Sequence, residues 1–257
     1  MSHRIFYTLW RRLWTSPGIY IAVILAALTM FSLKFGAQPL YPDIASQLNG
    51  SFAGNSGVFT FVLCILPAFP FAMVYTQDEN SGMLWNWSIR AGIRGYARAY
   101  YLITVLSGFL VIVIGGVLFI LLMVLSGSPF LIDGTGKYLD FGIFLIEENP
   151  VLFVVFQLVN GAMGGAIIAG LAAMIGAFIP NRFVVYAAPL VIYMLAVRLL
   201  GSHSLPYYLN VTNLLQGAFN APTPFGALGI KLAYLVILGG TFGLLTLWKI
   251  ERRQKNG

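Results

Sequence analysis

The sequence predicts an all-α integral membrane protein with six transmembrane helices, an N-terminal amphipathic interfacial helix, and a short, partly re-entrant segment before the last helix. Three observations lead there. Of 257 residues, 59% are hydrophobic and 9% charged, with mean hydropathy +0.84, whereas soluble domains carry roughly 25% charged residues. The apolar residues gather into runs near the roughly 20 that a helical span needs, without the roughly 10-residue alternation of barrel strands. Lys and Arg fall unevenly between the connections on the two sides of those runs. Residues 1–257 therefore read as a single transmembrane domain. One cysteine, Cys64, leaves no intrachain disulfide, and two histidines are too few for a metal cluster, so no metal site is expected. The net charge of +7 is explained by topology rather than by nucleic acid.

Residues 2–16 come first. At about 100° per residue, Ile5, Phe6, Leu9, Trp10, Leu13 and Trp14 share one half of a helical wheel, and Arg4, Thr8, Arg11, Arg12 and Thr15 the other. This predicts a helix in the headgroup plane, with Trp10 and Trp14 at the boundary and Arg4, Arg11 and Arg12 toward anionic lipid. Pro17 allows a turn into the first span, 18–34. Its apolar run is longer than a signal-peptide core and no small-x-small cleavage site follows, so it reads as retained. Residues 36–56 read as a polar loop without Lys or Arg. The second span, 57–76, holds Pro67 and Pro70, which predict a kink.

Residues 77–98 form a polar segment between spans. The third span, 99–125, is followed by a loop over 126–150 carrying Asp133, Asp140, Glu147 and Glu148. The fourth, 151–179, is rich in small residues, including Gly161 and Gly165 in GxxxG spacing, which predicts close helix packing within the subunit or between subunits. The fifth span covers 183–200 and the sixth 226–248. Between them, 201–225 is neither a clean span nor plainly polar, and its middle fits short helices dipping into the outer leaflet.

The loop charges orient the chain. Eleven Lys/Arg residues lie on the N-terminal side and four (Lys34, Lys137, Arg198 and Lys231) on the other, while the acids divide three to five. By the positive-inside rule both termini are cytoplasmic. The chain is then a multi-pass membrane protein, and 77–98 faces the cytoplasm. No ionisable residue falls near the middle of a span, which counts against ion-coupled transport. There is no HExxH, no GxSxG and no phosphate-binding GxxxxGK[ST] loop, so no enzymatic site is expected and any ATP would be bound by another chain.

The 77–98 segment holds Glu79, Gly82 and Leu84 in a Glu-x-x-Gly-x-Leu pattern, then Trp85 and Trp87, the basic residues Arg90 and Arg94, and Arg98 at the entry to the third span. With six spans, an amphipathic N-terminal helix and both termini inside, this resembles the permease subunits of type-2 ABC exporters. Asp78 stands where that pattern has a basic or neutral residue, and the proline usual midway is absent. The resemblance implies a short coupling helix over about 81–89 resting in a groove of a cytoplasmic ATPase. Gly82 would turn the chain into it, and Glu79 would brace the second span, the coupling helix and the N-terminal helix. The arginines are equally explained by topology, and the tryptophans by membrane anchoring.

It further implies two copies of an ABC ATPase as partners, with ATP and Mg on those subunits and no cofactor on this chain. A second permease, identical or homologous, would complete a path lined by the second and fifth spans, where Phe59, Leu63, Tyr193 and Met194 fall. Such a path suits an amphipathic or hydrophobic cargo: a peptide antibiotic, a drug or a lipid-like molecule, with self-protection against a membrane-active peptide as one role. The alternative is a non-transporting membrane scaffold that recruits a cytoplasmic partner through the same arginine-rich face.

Overall fold

The computed structural model describes residues 2–35, 43–52, 60–131, 141–200 and 223–256, and every regular element among them is helical. Helix α1 (Ser2–Thr15) leads into α2 (Pro17–Ser32), which tightens into a 3-10 turn over Leu33–Phe35. The junction is capped locally: the Gly18 N–H donates to Ser16 Oγ at 3.2 Å, and Pro17 sits where a missing N–H costs nothing. At the far end of α2, Lys34 Nζ donates to Ser126 Oγ and Ser128 Oγ at 2.7 and 2.9 Å.

The apolar half expected of α1 divides into two lines. Ile5, Leu9 and Leu13 are buried in a cluster with Tyr96, Ala97 and Ile250, so they face protein and not lipid. Phe6, Trp10 and Trp14 stay half-buried along the edge, with ring centroids 6.3 and 5.9 Å apart. Arg4 and Arg11 are exposed, while Arg12 turns inward.

The polar loop expected over 36–56 contains a helix instead, α3 (Ile44–Phe52), buried along nearly its whole length. Its amides are partnered in part: Gln47 Nε2 donates to Met30 O at 3.0 Å and Gln157 Nε2 donates to Asn49 Oδ1 at 2.7 Å, while Gln47 Oε1 has no partner among the described residues. Buried amides without such partners would cost several kcal/mol each, on the order of 2–7.

Among the described residues, five helices are long and apolar enough to cross a membrane: Pro17–Phe35, Ile93–Leu125, Pro150–Phe178, Arg182–Leu199 and Pro224–Lys255. The second expected span is the exception among the six. Its described part is a π turn (Thr60–Ile65), a 3-10 turn (Leu66–Ala68), turns through Met73, and α4 (Val74–Asn80). Pro67 and Pro70 lack an N–H and their rings clash with the preceding turn, so the expected kink becomes a full interruption. Tyrosines from neighbouring helices satisfy the freed carbonyls: Tyr100 Oη donates to Ala72 O at 2.6 Å and Tyr186 Oη to Phe69 O at 3.4 Å. A short helix, α5 (Met83–Ala91), follows.

The remaining elements are α6 (Ile93–Leu125), α7 (Ile143–Ile146), α8 (Pro150–Phe178), α9 (Arg182–Leu200) and α10 (Pro224–Asn256). Helix α6 begins before the expected residue 99, and α10 continues past 248 so that its basic tail is helical. Helix α8 is the centre of the bundle. Its apolar window is 72% buried, against 39% or less in the other four. A Cβ on Gly108 of α6 would come within 2.5 Å of Ala169 Cβ and 2.9 Å of Gly165 O, and one on Gly161 within 2.6 Å of the Phe52 ring. The small residues of α8 thus admit α6 and α3 of the same chain. Nearly all of the segment expected to be re-entrant, 201–225, lies outside the described residues.

Candidate functional site

Helices α1, α4 and α5, the start of α6 and the ends of α8 and α10 meet at one end of the bundle, called here the basic end. Helix α5 lies between Gly82 (φ 71°) and Gly92 (φ 74°). No atom would crowd a Cβ at either position, so the requirement for glycine is the left-handed backbone itself. These two turns set a nine-residue helix across the ends of its neighbours. Leu84 anchors its inner face, and Trp87 stacks on Tyr96 with centroids 6.0 Å apart. Met83, Trp85, Asn86 and Ile89 are exposed on the outer face. Arg90 is on α5. Arg94 and Arg98 are not; both stand exposed on the first turns of α6.

The two adjacent acids part company. Asp78 is completely buried; Arg12 Nη1 donates to both of its oxygens at 2.7 and 2.9 Å, and Tyr96 Oη donates at 2.8 Å. Glu79 instead accepts from Arg253 Nη1 at 2.5 Å, and Arg253 Nη2 donates to Phe178 O at 3.1 Å. Glu79 was expected to hold the N-terminal helix, but that tie belongs to Asp78. Consecutive helical residues point about 100° apart, so two neighbouring carboxylates reach different helices: Asp78 reaches α1 and α6, and Glu79 reaches α10, whose Arg253 in turn holds the end of α8. A third pair, Arg94 Nε to Glu251 Oε1 at 2.9 Å, joins α6 to α10.

Asp78, Tyr96, Glu251 and Arg253 are therefore part of the site although the sequence motif does not contain them. One signal could have found two of them, Asp78 and Glu251. The side rich in Lys and Arg carries three acids, Asp78, Glu79 and Glu251, and each is paired with an arginine.

No protein-family model, curated protein or solved structure matches the chain.

Of the four residues expected to line a substrate path, two have described side chains, Tyr193 and Met194. Phe59 lies outside the described residues, and Leu63 belongs to the Thr60–Ile65 turn. Tyr193 is buried in a cluster with Val62, Cys64, Ile167 and Ile168, whereas Met194 is 45% exposed. The two successive residues of α9 face inward and outward. Lys231, expected near the outer end of the last span, is completely buried seven residues inside the start of α10. Among the described residues no group of three or more His, Cys, Asp or Glu side chains could hold a metal ion.

Proposed function

We propose that the chain is the permease subunit of an ATP-driven ABC exporter, with the basic end in the cytoplasm, six membrane crossings, and α5 as the helix that docks on a separate ATPase. The observation that carries this reading is α5 itself: a short helix bounded by Gly82 and Gly92 in left-handed conformation, apolar on its exposed face, and set among ion pairs. A docking helix has to transmit force rather than bend away from it. Asp78 and Glu79, just before α5, tie its entry to α1, α6, α8 and α10, so a push on α5 would reach four helices together. The interrupted second span supports a moving permease, because a helix broken at Pro67 and Pro70 can change angle without breaking further backbone hydrogen bonds.

The cargo this reading favours is amphipathic or hydrophobic, moved outward from the cytoplasm or inner leaflet while ATP and Mg stay on the partner. Two ATPase copies and a second permease complete the assembly. Purification from native membranes in mild detergent tests it: an ABC ATPase is expected to copurify. Glu79→Lys, which turns the Arg253 pair into a repulsion, is expected to lower ATP-driven transport at least severalfold while the protein still folds. Transport at the wild-type rate in Glu79→Lys would remove the role given to that residue. Crosslinks across the second and fifth spans that are indifferent to ATP would favour a static scaffold.

A further inference from the structure

A cavity of about 350 Å³ opens beside the α1–α2 elbow, between the first turn of α2, the interrupted stretch before α4, and α9. Arg12, Gly18, Ile21, Phe69, Met73 and Tyr186 are among the residues around it. Its existence follows from the backbone. A straight second span would fill this space with side chains, and the break at Pro67 and Pro70 removes them, while Gly18 keeps α2 close to Pro70 at the floor.

We propose that this cavity binds one anionic phospholipid of the leaflet at the basic end. Depth supports a lipid. Ile21 lies four residues past the start of α2 and Tyr186 four past the start of α9, which at 1.5 Å per residue places both about 6 Å inside the helix ends. That is the level of headgroups and first acyl carbons. Ile21 is 45% exposed, so the wall opens toward the membrane and not into the bundle. Phe69, Met73 and the proline ring give an apolar bed. Charge supports an anion. Arg12 spends Nη1 on Asp78, and its Nε and Nη2 have no hydrogen-bond partner among the described residues. Arg182, one turn before Tyr186, is exposed and forms no ion pair among the described residues. The one acid in contact with Arg12, Asp78, is sealed away from the cavity mouth by burial. Basic pockets between membrane helices are general sites for anionic headgroups.

The test uses this chain alone, so it stands apart from the reading as an ABC permease. The detergent-solubilised protein is titrated with dioleoyl phosphatidylglycerol and, separately, dioleoyl phosphatidylcholine, and bound lipid is counted by native mass spectrometry. One phosphatidylglycerol is expected to bind at least about fivefold more tightly than phosphatidylcholine, the effect of one basic residue near a membrane surface. Ile21→Trp, which fills the mouth, is expected to abolish that preference. Arg182→Gln is expected to cut phosphatidylglycerol affinity about fivefold and leave phosphatidylcholine unchanged. Neither variant touches the Arg12–Asp78 pair, so both should fold. Equal binding of the two lipids, or an undiminished preference in Ile21→Trp, overturns the proposal. So does displacement of the lipid by millimolar inorganic phosphate, which would make the site one for a free anion.

Discussion

The two ends of the bundle solve the same problem with different chemistry. At the basic end three carboxylates meet three arginines. Along α3, near the other end, the chain uses mainly neutral amides and hydroxyls: Gln47 on Met30 O, Asn49 on Gln157, and Ser51 on Gln47 O. The difference follows from water. Arg12, Arg253 and Glu79 keep 33%, 30% and 27% of their side chains exposed, so even the pair that buries Asp78 completely has one member in contact with water. Helix α3 is almost wholly buried, where a bare charge would cost far more than a bonded amide, and the buried carboxylate at its start, Asp43, accepts from the Ser46 N–H at 2.6 Å.

The strongest way to break this comparison is at Asp78. The carboxylate is fully buried, holds Arg12 through both oxygens and accepts from Tyr96. Asp78→Asn leaves the arginine without its counter-charge, and removing one partner of a buried pair costs about 3–5 kcal/mol. The lower half of that range is expected, because Arg12 is a third exposed. Thermal unfolding in detergent should show a large loss in Asp78→Asn, and Arg12→Gln in the same chain should restore part of it. A double variant no better than the sum of its singles would deny the coupling.

Next in size is the contact that seats α3. A Cβ at Gly161 would stand 2.6 Å from the Phe52 ring, and overpacking of this kind costs about 1–3 kcal/mol. Gly161→Ala should therefore lower the unfolding temperature, and Phe52→Leu added to it should recover most of the loss. Failure of that rescue would mean that α3 does not depend on Phe52 lying against Gly161.

How far each end could be read from the sequence follows the same division. The five long helices were legible because each is a single contiguous apolar run, and run length is a local property. Helix α3 was not, since IASQLNGSF is short and half polar, and only the groove at Gly161 of α8 and the carbonyl of Met30 make its burial possible. The prolines of the second span were legible as a kink. Their full effect depends on Tyr100 and Tyr186, which arrive from distant helices and donate to carbonyls of the broken stretch. At the basic end the motif pointed to Glu79 and Gly82. The division of labour between Asp78 and Glu79 depends on where α1 and α10 pack, and adjacent acids look alike until that is known.

The amide tie offers a finer test. Gln157→Leu removes the bond to Asn49 and also a buried carbonyl oxygen, Gln157 Oε1, that has no hydrogen-bond partner among the described residues. Hydrogen bonds between membrane helices average about 0.6 kcal/mol by double-mutant cycles, and loss of the unsatisfied oxygen offsets part of that. The expected change in stability is at most about 1 kcal/mol by the same measurement. A loss as large as that of Asp78→Asn would erase the distinction between the two ends.

The smallest effect is expected at Arg94, and it sharpens the comparison from inside the basic end. Its side chain is 69% exposed and that of its partner Glu251 22% exposed, so water and salt screen the pair in a way they cannot screen Asp78. Exposed pairs contribute about 0.2–1 kcal/mol, and Arg94→Gln should stay within about 0.5 kcal/mol of wild type. Unfolding measured at low and at high salt separates the two cases. Raising salt should erase the Arg94→Gln difference and leave most of the Asp78→Asn difference in place, because buried pairs are screened much less. If both differences vanished together, the Arg12–Asp78 pair would be as open to solvent as Arg94, and its part in bracing α5 would go with it.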